Sequence, residues 1–165
     1  MTLPDAERLL EGLIAQIRPD IGPGFALVGI HTGGVWIAQR LHQALGLQLP
    51  MGTIDIAFYR DDYKQKGLAN AVRPSDIPFS VDNAQIILVD DVLYTGRTIR
   101  AAINEIFDYG RPTSIRLAAL VDRGGRQLPI CPQYVGAQVS VGARESIELR
   151  RDPAGALSLA LISPS

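Results

Sequence analysis

The sequence predicts an α/β fold in which a mostly parallel sheet is flanked by helices, and three observations carry that prediction. Continuous apolar runs, typical of strands buried on both faces, occur at 25–30, 85–89 and 114–121. Segments with the apolar spacing of an amphipathic helix alternate with these runs, at 35–45 and 97–109. Polar sequences follow each apolar run. Strands that alternate with helices are typical of a parallel sheet covered on both faces.

The remaining segments complete a single domain over residues 1–165. Apolar spacing predicts a helix at 5–17, and alternating apolar residues from Thr53 to Arg60 indicate an edge or antiparallel strand. The polar segment 61–84 is too long for an ordinary connection, so we expect a mobile flap there. Short β-like pieces make up the tail, at 133–139, 146–149 and 157–162.

Length and composition bound the class of protein. The chain has 165 residues, of which 47% are hydrophobic and 20% charged, which is enough for one ordinary core and unlike a disordered chain. Its single cysteine, Cys131, rules out an internal disulfide and suits a reducing compartment. There is no signal-peptide pattern and no apolar run of about 18 residues. We therefore expect a cytoplasmic protein without a membrane segment.

Charge is uneven along the chain, although the net charge is only −1. Residues 97–151 contain nine arginines and five acidic residues, a net charge of +4, and the rest of the chain carries −5. Such a segment can mark a phosphate site or a surface that binds a polyanion. It can equally be a solvated surface, and the sequence leaves both interpretations open.

Two aspartates interrupt the central apolar run, in the stretch IILVDDVLYTGRTI at 86–99. Carboxylates are costly to bury without partners, so Asp90 and Asp91 require an explanation. Their oxygens suit the vicinal hydroxyls of a ribose or a Mg²⁺ ion. A helix cap followed by a charged loop is the simpler alternative, but it does not explain why the next residues suit an anion.

Those next residues, Thr95-Gly96-Arg97-Thr98, lie where a helix is predicted to begin. The free N–H groups of a helix N-terminus, together with threonine hydroxyls, suit a phosphate. The spacing of a P-loop and that of a dinucleotide-binding Rossmann motif are both absent. In an open parallel sheet, ligands bind at the carboxyl ends of strands. We therefore expect one crevice where three polar segments meet, at 31–34, 90–98 and 122–128.

The run VDDVLYTGRT at 89–98 resembles the phosphoribosyl pyrophosphate (PRPP) motif of type I phosphoribosyltransferases. More narrowly, the chain is similar to the PyrR family, which combines uracil phosphoribosyltransferase activity with regulation of pyrimidine operons. The narrower resemblance rests on the segments 55–62, 107–112 and 120–130. It implies a type I phosphoribosyltransferase fold with a small hood, formed by about 122–150 plus the N-terminal segment.

The resemblance also implies a role for each polar segment. Asp90 and Asp91 would bind the ribose hydroxyls of PRPP and Mg²⁺, the metal either directly or through water and PRPP. The 5′-phosphate would be bound by Thr95, Gly96, Arg97 and Thr98. The pyrophosphate would be bound by the loop of Thr32, Gly33 and Gly34, which in this superfamily often contains a non-proline cis peptide. Arg60 and the flap would close over the pyrophosphate. The hood that reads uracil would include Asp122, Arg123, Arg126 and Leu128.

The implied activity is the Mg²⁺-dependent conversion of uracil and PRPP to UMP and pyrophosphate, in a homodimer or higher homo-oligomer. The alternative is a regulator that binds leader mRNA, has UMP or PRPP as its effector and shows weak or no catalysis. A third hypothesis is a transferase for hypoxanthine or orotate. Tyr94 lies where 6-oxopurine enzymes have a carboxylate that faces the purine, which favours a pyrimidine. Many relatives have arginine at the position of Gly33, so one pyrophosphate contact is either lost in this chain or supplied by Arg60 or Arg97.

Overall fold

A five-stranded parallel sheet forms the centre of the computed structural model, which describes residues 2–56 and 75–164. Its strands are β1 (Phe25–Ile30), β2 (Gly52–Ile54), β3 (Gln85–Leu93), β4 (Ser114–Asp122) and β5 (Tyr134–Gln138). They lie in the order β2-β1-β3-β4-β5, and each neighbouring pair is parallel. The predicted fold class, a mostly parallel sheet flanked by helices, is confirmed.

Within the described residues, three α-helices flank the sheet: α1 (Ala6–Ile17), α2 (Gly33–Leu45) and α3 (Arg97–Phe107). The Asp5 carboxylate caps α1 by accepting from the Glu7 N–H at 2.9 Å. The second helix ends at Leu45, as predicted, and is followed by Gly46, whose φ of +62° is left-handed. The third ends two residues before the predicted boundary at 109. None of the helices in the described ranges is long and apolar enough to cross a membrane.

Each face of the sheet packs into its own apolar cluster. Residues alternate along β3, where Ile87 and Val89 belong to the cluster beneath α1 and α2. Ile86 and Leu88 belong to the cluster that includes α3. All four side chains are fully buried. A strand covered on both faces needs an apolar side chain at every position, which explains the continuous apolar runs in the sequence.

The edge strand β2 is shorter than the strand predicted at 53–60. It pairs with β1 only over Gly52–Ile54, and residues 57–60 lie outside the described ranges. On its other side, the N–H of Thr53 donates to the Asp76 carbonyl at 2.7 Å. Residues 75–84 fall within the predicted flap, but there Val81 and Ala84 are buried in the α3-side cluster. Residues 61–74 of that flap are not among those described.

A two-stranded antiparallel sheet, β6 (Ser146–Arg151) and β7 (Leu157–Ile162), packs beside the first helix. Leu149 and Leu157 are buried in the cluster beneath α1 and α2. The Glu7 carboxylate accepts from the Leu157 N–H at 2.8 Å and pairs with Arg40 at 2.5 Å. The N-terminal helix, α2 and the tail are thereby connected. The predicted hood ended at residue 150, whereas this pairing continues to Ile162.

Candidate functional site

The three polar segments expected to form one crevice meet at a single edge of the sheet. Strands β1, β3 and β4 are parallel neighbours, so their carboxyl ends lie side by side. A Cβ atom built on Gly33 would overlap the Asp91 carboxylate, so the first segment lies directly against the second. The Leu128 N–H donates to the Thr95 carbonyl at 3.2 Å, so the third segment also contacts the second.

Asp90 and Asp91 lie inside β3 rather than after it. The strand was predicted to end at Val89, but β4 continues to pair with it as far as Leu93. The Asp90 Oδ1 accepts from the Asp91 N–H at 2.9 Å, and the Asp91 Oδ1 accepts from the next N–H at 2.8 Å. Asp90 is only 4% exposed, and Asp91 is half-buried. The strand therefore carries two successive aspartates near its carboxyl end, at the edge of the sheet where the three segments meet.

The turn after β1 leads directly into the second helix. The peptide bond between His31 and Thr32 is cis, as the family resemblance implied. The helix begins at Gly33, two residues earlier than predicted, because the Thr32 carbonyl already accepts from the N–H groups of Val35 and Trp36. The predicted turn is thus partly the first turn of a helix, whose N-terminus faces the crevice.

Two glycines bring the start of this helix against β3. A Cβ atom on Gly34 would overlap the Val89 carbonyl oxygen and lie 3.2 Å from the Asp90 Cα. The obstacle there is backbone, which cannot move aside without distorting the sheet. At Gly33 the obstacle is the carboxylate of Asp91, the end of a side chain. Glycine at both positions lets the helix backbone approach the two aspartates closely.

The loop between β3 and α3 presents a second helix N-terminus to the same edge. Gly96 precedes the helix with a φ of +96°, a conformation that favours glycine. Thr95 is buried, and its hydroxyl accepts from the Arg97 N–H at 3.1 Å. Thr98 is half-buried in the first turn, and Arg97 is exposed. A helix N-terminus flanked by hydroxyls and a cation can bind an anion.

Asp122, at the end of β4, is buried and paired. Its Oδ1 accepts from the Gly124 N–H at 2.9 Å, and its Oδ2 accepts from Arg126 at 2.6 Å. Burial alone would raise the pKa of Asp122, but the hydrogen bonds from Arg126 and Gly124 outweigh burial and lower that pKa below its ordinary value. Asp122 is therefore an anion at neutral pH, and both of its oxygens are engaged within the protein.

Arg126 connects three parts of this edge. Besides pairing with Asp122, it donates from Nε to the Ile130 carbonyl at 2.9 Å and from a terminal nitrogen to the Tyr94 carbonyl at 2.7 Å. The family resemblance implied that Asp122 and Arg126 bind the base. The structure places both at the crevice, but it directs their polar atoms to each other and to backbone carbonyls, so they brace the loop that follows β4.

This loop, residues 123–130, rests on the loop that follows β3. The N–H groups of Gln127 and Leu128 both donate to the Thr95 carbonyl, at 2.9 and 3.2 Å. The Gln127 side chain also accepts from the Arg97 Nε at 2.9 Å. The segment predicted to read the base is consequently attached to the segment predicted to bind phosphate.

Comparison with known proteins identifies the family. The model of the phosphoribosyl transferase domain matches residues 2–142. The bifunctional protein PyrR of Ralstonia nicotianae is 51% identical over 156 residues, which cover 92% of this chain and 89% of that protein. The bifunctional protein PyrR of Pseudomonas aeruginosa is 49% identical over 155 residues, which cover 90% of each. The chain belongs to the PyrR family. The predicted membership is thereby confirmed.

Solved structures agree on the fold of this PyrR-family chain. A hypoxanthine-guanine phosphoribosyltransferase from Bacillus anthracis superposes with a TM-score of 0.67 at 21% identity, covering 84% of this chain and 83% of that one. The hypoxanthine phosphoribosyltransferase of Trypanosoma cruzi superposes with a TM-score of 0.64 at 21% identity, covering 84% and 81%. At this identity the likeness shows the fold alone, which is the predicted type I phosphoribosyltransferase fold.

The carboxylates of the PyrR-family site suit a metal ion that arrives with its substrate. Among residues 2–56 and 75–164, no three His, Cys, Asp or Glu side chains could together hold a metal ion. Asp90 and Asp91 nevertheless place two carboxylates next to each other on β3. Mg²⁺ is commonly bound by one or two carboxylates together with substrate phosphates and water. The residues present therefore fit Mg²⁺ bound jointly with a diphosphate.

Sequence reasoning missed two features of this PyrR-family site. One is the Thr95 carbonyl, which accepts two hydrogen bonds across the crevice. The other is the stacking of the Arg123 guanidinium on the ring of Tyr94. A backbone acceptor leaves no signal in a sequence, and the sequence singled out Tyr94 for its position in the motif without indicating which side chain contacts its ring. Arg60, predicted to act at the pyrophosphate, lies outside the described residues.

Proposed function

We propose that this protein transfers the phosphoribosyl group of PRPP to uracil and releases UMP and pyrophosphate, a pyrimidine salvage reaction. One observation carries the proposal. A single strand and its following loop bring two carboxylates and a helix N-terminus to one edge of the sheet, beside a second helix N-terminus. Paired carboxylates suit ribose hydroxyls, and helix N-termini suit phosphates, which are the parts of PRPP.

The ribose is assigned to the two aspartates of β3. Asp90 and Asp91 would accept hydrogen bonds from the 2′ and 3′ hydroxyls. In each carboxylate one oxygen already accepts a hydrogen bond from a backbone N–H, and this fixes the orientation of the carboxylate before the ligand binds. Fixed acceptors cost little reorganisation when the ribose gains positive charge during the reaction.

Each of the two helix N-termini would bind one phosphate group of PRPP. The 5′-phosphate is assigned to Thr95, Gly96, Arg97 and Thr98, and pyrophosphate to the turn at Thr32, Gly33 and Gly34. The C1–O bond to pyrophosphate would break with its electrons leaving on pyrophosphate, and a uracil nitrogen would form the new bond to C1. The proton displaced from that nitrogen would pass to the departing pyrophosphate or to water. When bound, Mg²⁺ neutralises phosphate charge, and Asp90 and Asp91 are the residues that would hold it.

The base is assigned to the loop from Asp122 to Leu128. Asp122 and Arg126 bond to each other, so we assign them to fixing the loop and leave base contacts to Arg123 and the loop backbone. A fixed loop that contacts one edge of the planar base raises the reaction rate, because it holds the base in position relative to C1 of the ribose.

The proposal is tested by offering three bases with PRPP and Mg²⁺ and identifying the nucleotide formed. Uracil is expected to give UMP and one equivalent of pyrophosphate, while hypoxanthine and orotate give neither. Formation of inosine or orotidine monophosphate at a higher kcat/KM than UMP would overturn the assignment of uracil. Absence of any product from any base would overturn the proposed catalysis.

A second function, RNA-binding regulation of pyrimidine genes, is favoured by membership of the PyrR family, whose relatives are named bifunctional, and two exposed arginines of the third helix could contact RNA phosphates. Arg97 and Arg100 are exposed and lie three residues apart, so they share one face at the start of α3. We expect the protein to bind the leader mRNA of a pyrimidine operon, with an affinity that falls steeply between about 50 and 200 mM salt. Salt-independent binding, or equal binding of an unrelated RNA, would contradict a specific role.

We further infer a cytoplasmic homodimer or larger homo-oligomer. The single cysteine, Cys131, is free and exposed, which is compatible with a reducing compartment. Light scattering of the purified protein is expected to give at least twice the mass of the 17.8 kDa chain. A mass of one chain at micromolar concentration would overturn the inferred assembly.

A further inference from the structure

Tyr94 occupies the junction between the two loops that the proposed function assigns to phosphate and base. It directly follows β3, which ends at Leu93, and precedes the buried Thr95. Its surface is 41% exposed, although it directly follows the buried Leu93. Its carbonyl accepts from Arg126, so its backbone is already part of the bracing of the loop at 123–130.

The side chain of Tyr94 carries a stacked arginine. The Arg123 guanidinium carbon lies 4.0 Å from the ring centroid, well within the range of a cation–π contact. The Arg123 Nε is buried and has no hydrogen-bond partner among the described residues. The Arg123 N–H donates to the Leu93 carbonyl at 3.0 Å, which continues the pairing of β3 with β4. Among the described residues, the Tyr94 ring is thus the main contact that orients the Arg123 guanidinium.

The same ring also meets the backbone of the loop. A Cβ atom on Gly125 would overlap the Tyr94 Cε1 and lie 2.9 Å from its Cδ1. Gly125 has a φ of +77°, so glycine is favoured there both by the space and by the backbone conformation. The loop is consequently shaped around the ring, with Arg123 and Gly125 both in contact with it.

We propose that Tyr94 is a positioning residue for the base: through Arg123 and Gly125 its ring holds the loop at 123–130 in the conformation that binds a pyrimidine. This inference rests on the proposed function, and it adds a residue outside the set predicted to touch substrate. The Tyr94 ring contacts the base loop directly, whereas the phosphate loop also keeps a hydrogen bond of its own, from the Arg97 N–H to the Thr95 hydroxyl at 3.1 Å. Loss of the ring should therefore weaken binding of the base and spare binding of PRPP.

Amide hydrogen exchange tests the positioning without any substrate. In Tyr94→Leu, the peptide covering 123–130 should exchange at least several-fold faster than in wild type, because the N–H groups of Gln127 and Leu128 lose their fixed geometry. Tyr94→Phe retains the ring and should exchange as wild type does. Tyr109→Leu, at an exposed tyrosine in the turn after α3, is the matched control and should also be unchanged. Unchanged exchange in Tyr94→Leu would overturn the proposal.

Steady-state kinetics test its consequence for the base. Tyr94→Leu should raise the KM for uracil roughly tenfold, as expected for loss of a partly buried cation–π contact, and leave the KM for PRPP within about twofold. Tyr94→Phe, which keeps the ring, should have the same KM for uracil as wild type. An equal rise in both KM values, or a Tyr94→Phe variant as impaired as Tyr94→Leu, would overturn the proposal. If wild type forms no UMP, the proposed activity fails, and the exchange experiment still decides the role of Tyr94.

Discussion

Replacing Arg126 with alanine removes the brace of the base loop, and its cost can be estimated from the contacts. The guanidinium donates to Asp122, to the Ile130 carbonyl and to the Tyr94 carbonyl, at 2.6, 2.9 and 2.7 Å. The Asp122 side chain is 8% exposed and that of Arg126 is 23% exposed. Breaking a buried pair by removing one partner costs about 3–5 kcal/mol. Because water can reach part of this site, we expect a loss of about 2–4 kcal/mol.

Urea denaturation at neutral pH measures this loss, and Arg150→Ala is the matched control. Arg150 also pairs with a carboxylate, at 3.1 Å from Glu148, but both side chains are more than half exposed. Exposed pairs contribute about 0–1 kcal/mol, so the control should change little. Arg126→Lys keeps the charge but has one nitrogen for three acceptors, and we expect an intermediate loss. In activity assays, Arg126→Ala should raise the KM for uracil more than that for PRPP.

Two outcomes would refute this interpretation of Arg126. The first is an Arg126→Ala protein whose free energy of unfolding equals that of Arg150→Ala, since this would mean that the buried carboxylate of Asp122 does not need its partner. The second is an Arg126→Lys protein as stable as wild type, since a positive charge would then suffice without the three hydrogen bonds of the guanidinium.

Three further predictions concern stability around the crevice. Gly34→Ala should cost about 2–3 kcal/mol in urea denaturation because its Cβ meets backbone, whereas Gly12→Ala, with open space around it in α1, should gain about 0.5–1 kcal/mol. Gly33→Ala should lower kcat and cost less stability than Gly34→Ala, because its Cβ meets the Asp91 side chain, which can turn, and not backbone. The pKa of Asp122 lies below its ordinary value of 3.8, so the ionised carboxylate stabilises the fold fully above pH 3.8 and loses this effect as the pH falls through the lowered pKa. The difference in free energy of unfolding between wild type and Asp122→Asn should therefore shrink only in acid.

The sequence predicted the framework of the fold because burial on both faces leaves a clear pattern. Strands β1 and β4 begin where predicted, at Phe25 and Ser114, and α3 begins at Arg97. In each case an apolar run or a helical spacing is bounded by glycine, proline or a polar turn. These local signals are strong enough to fix element boundaries without knowledge of the neighbours.

The end of β3 could not be predicted in the same way. Two charged residues normally end a buried strand, yet the pairing with β4 continues past Asp90 to Leu93. The carboxylates tolerate this position because each accepts from the following backbone N–H. Such compensation depends on local geometry, which composition does not reveal.

The bracing of the base loop was equally invisible to the sequence. Two acceptors of Arg126 are backbone carbonyls, and one of them, at Tyr94, is 32 residues away in the chain. The sequence therefore identified Arg126 as a site residue but gave no indication that its donors face the protein. Only the third partner, Asp122, four residues earlier, could have been suspected from spacing.

The most direct test of phosphoribosyl transfer at this edge compares wild type with the double variant Asp90→Asn, Asp91→Asn in PRPP, Mg²⁺ and uracil. Wild type should form UMP and pyrophosphate in equal amounts. The double variant should form neither while retaining a cooperative urea transition, because the amides keep the shape of the carboxylates but not the charge that favours a ribose gaining positive charge. UMP formation by the folded double variant at a rate near that of wild type would contradict the assignment of the ribose to β3.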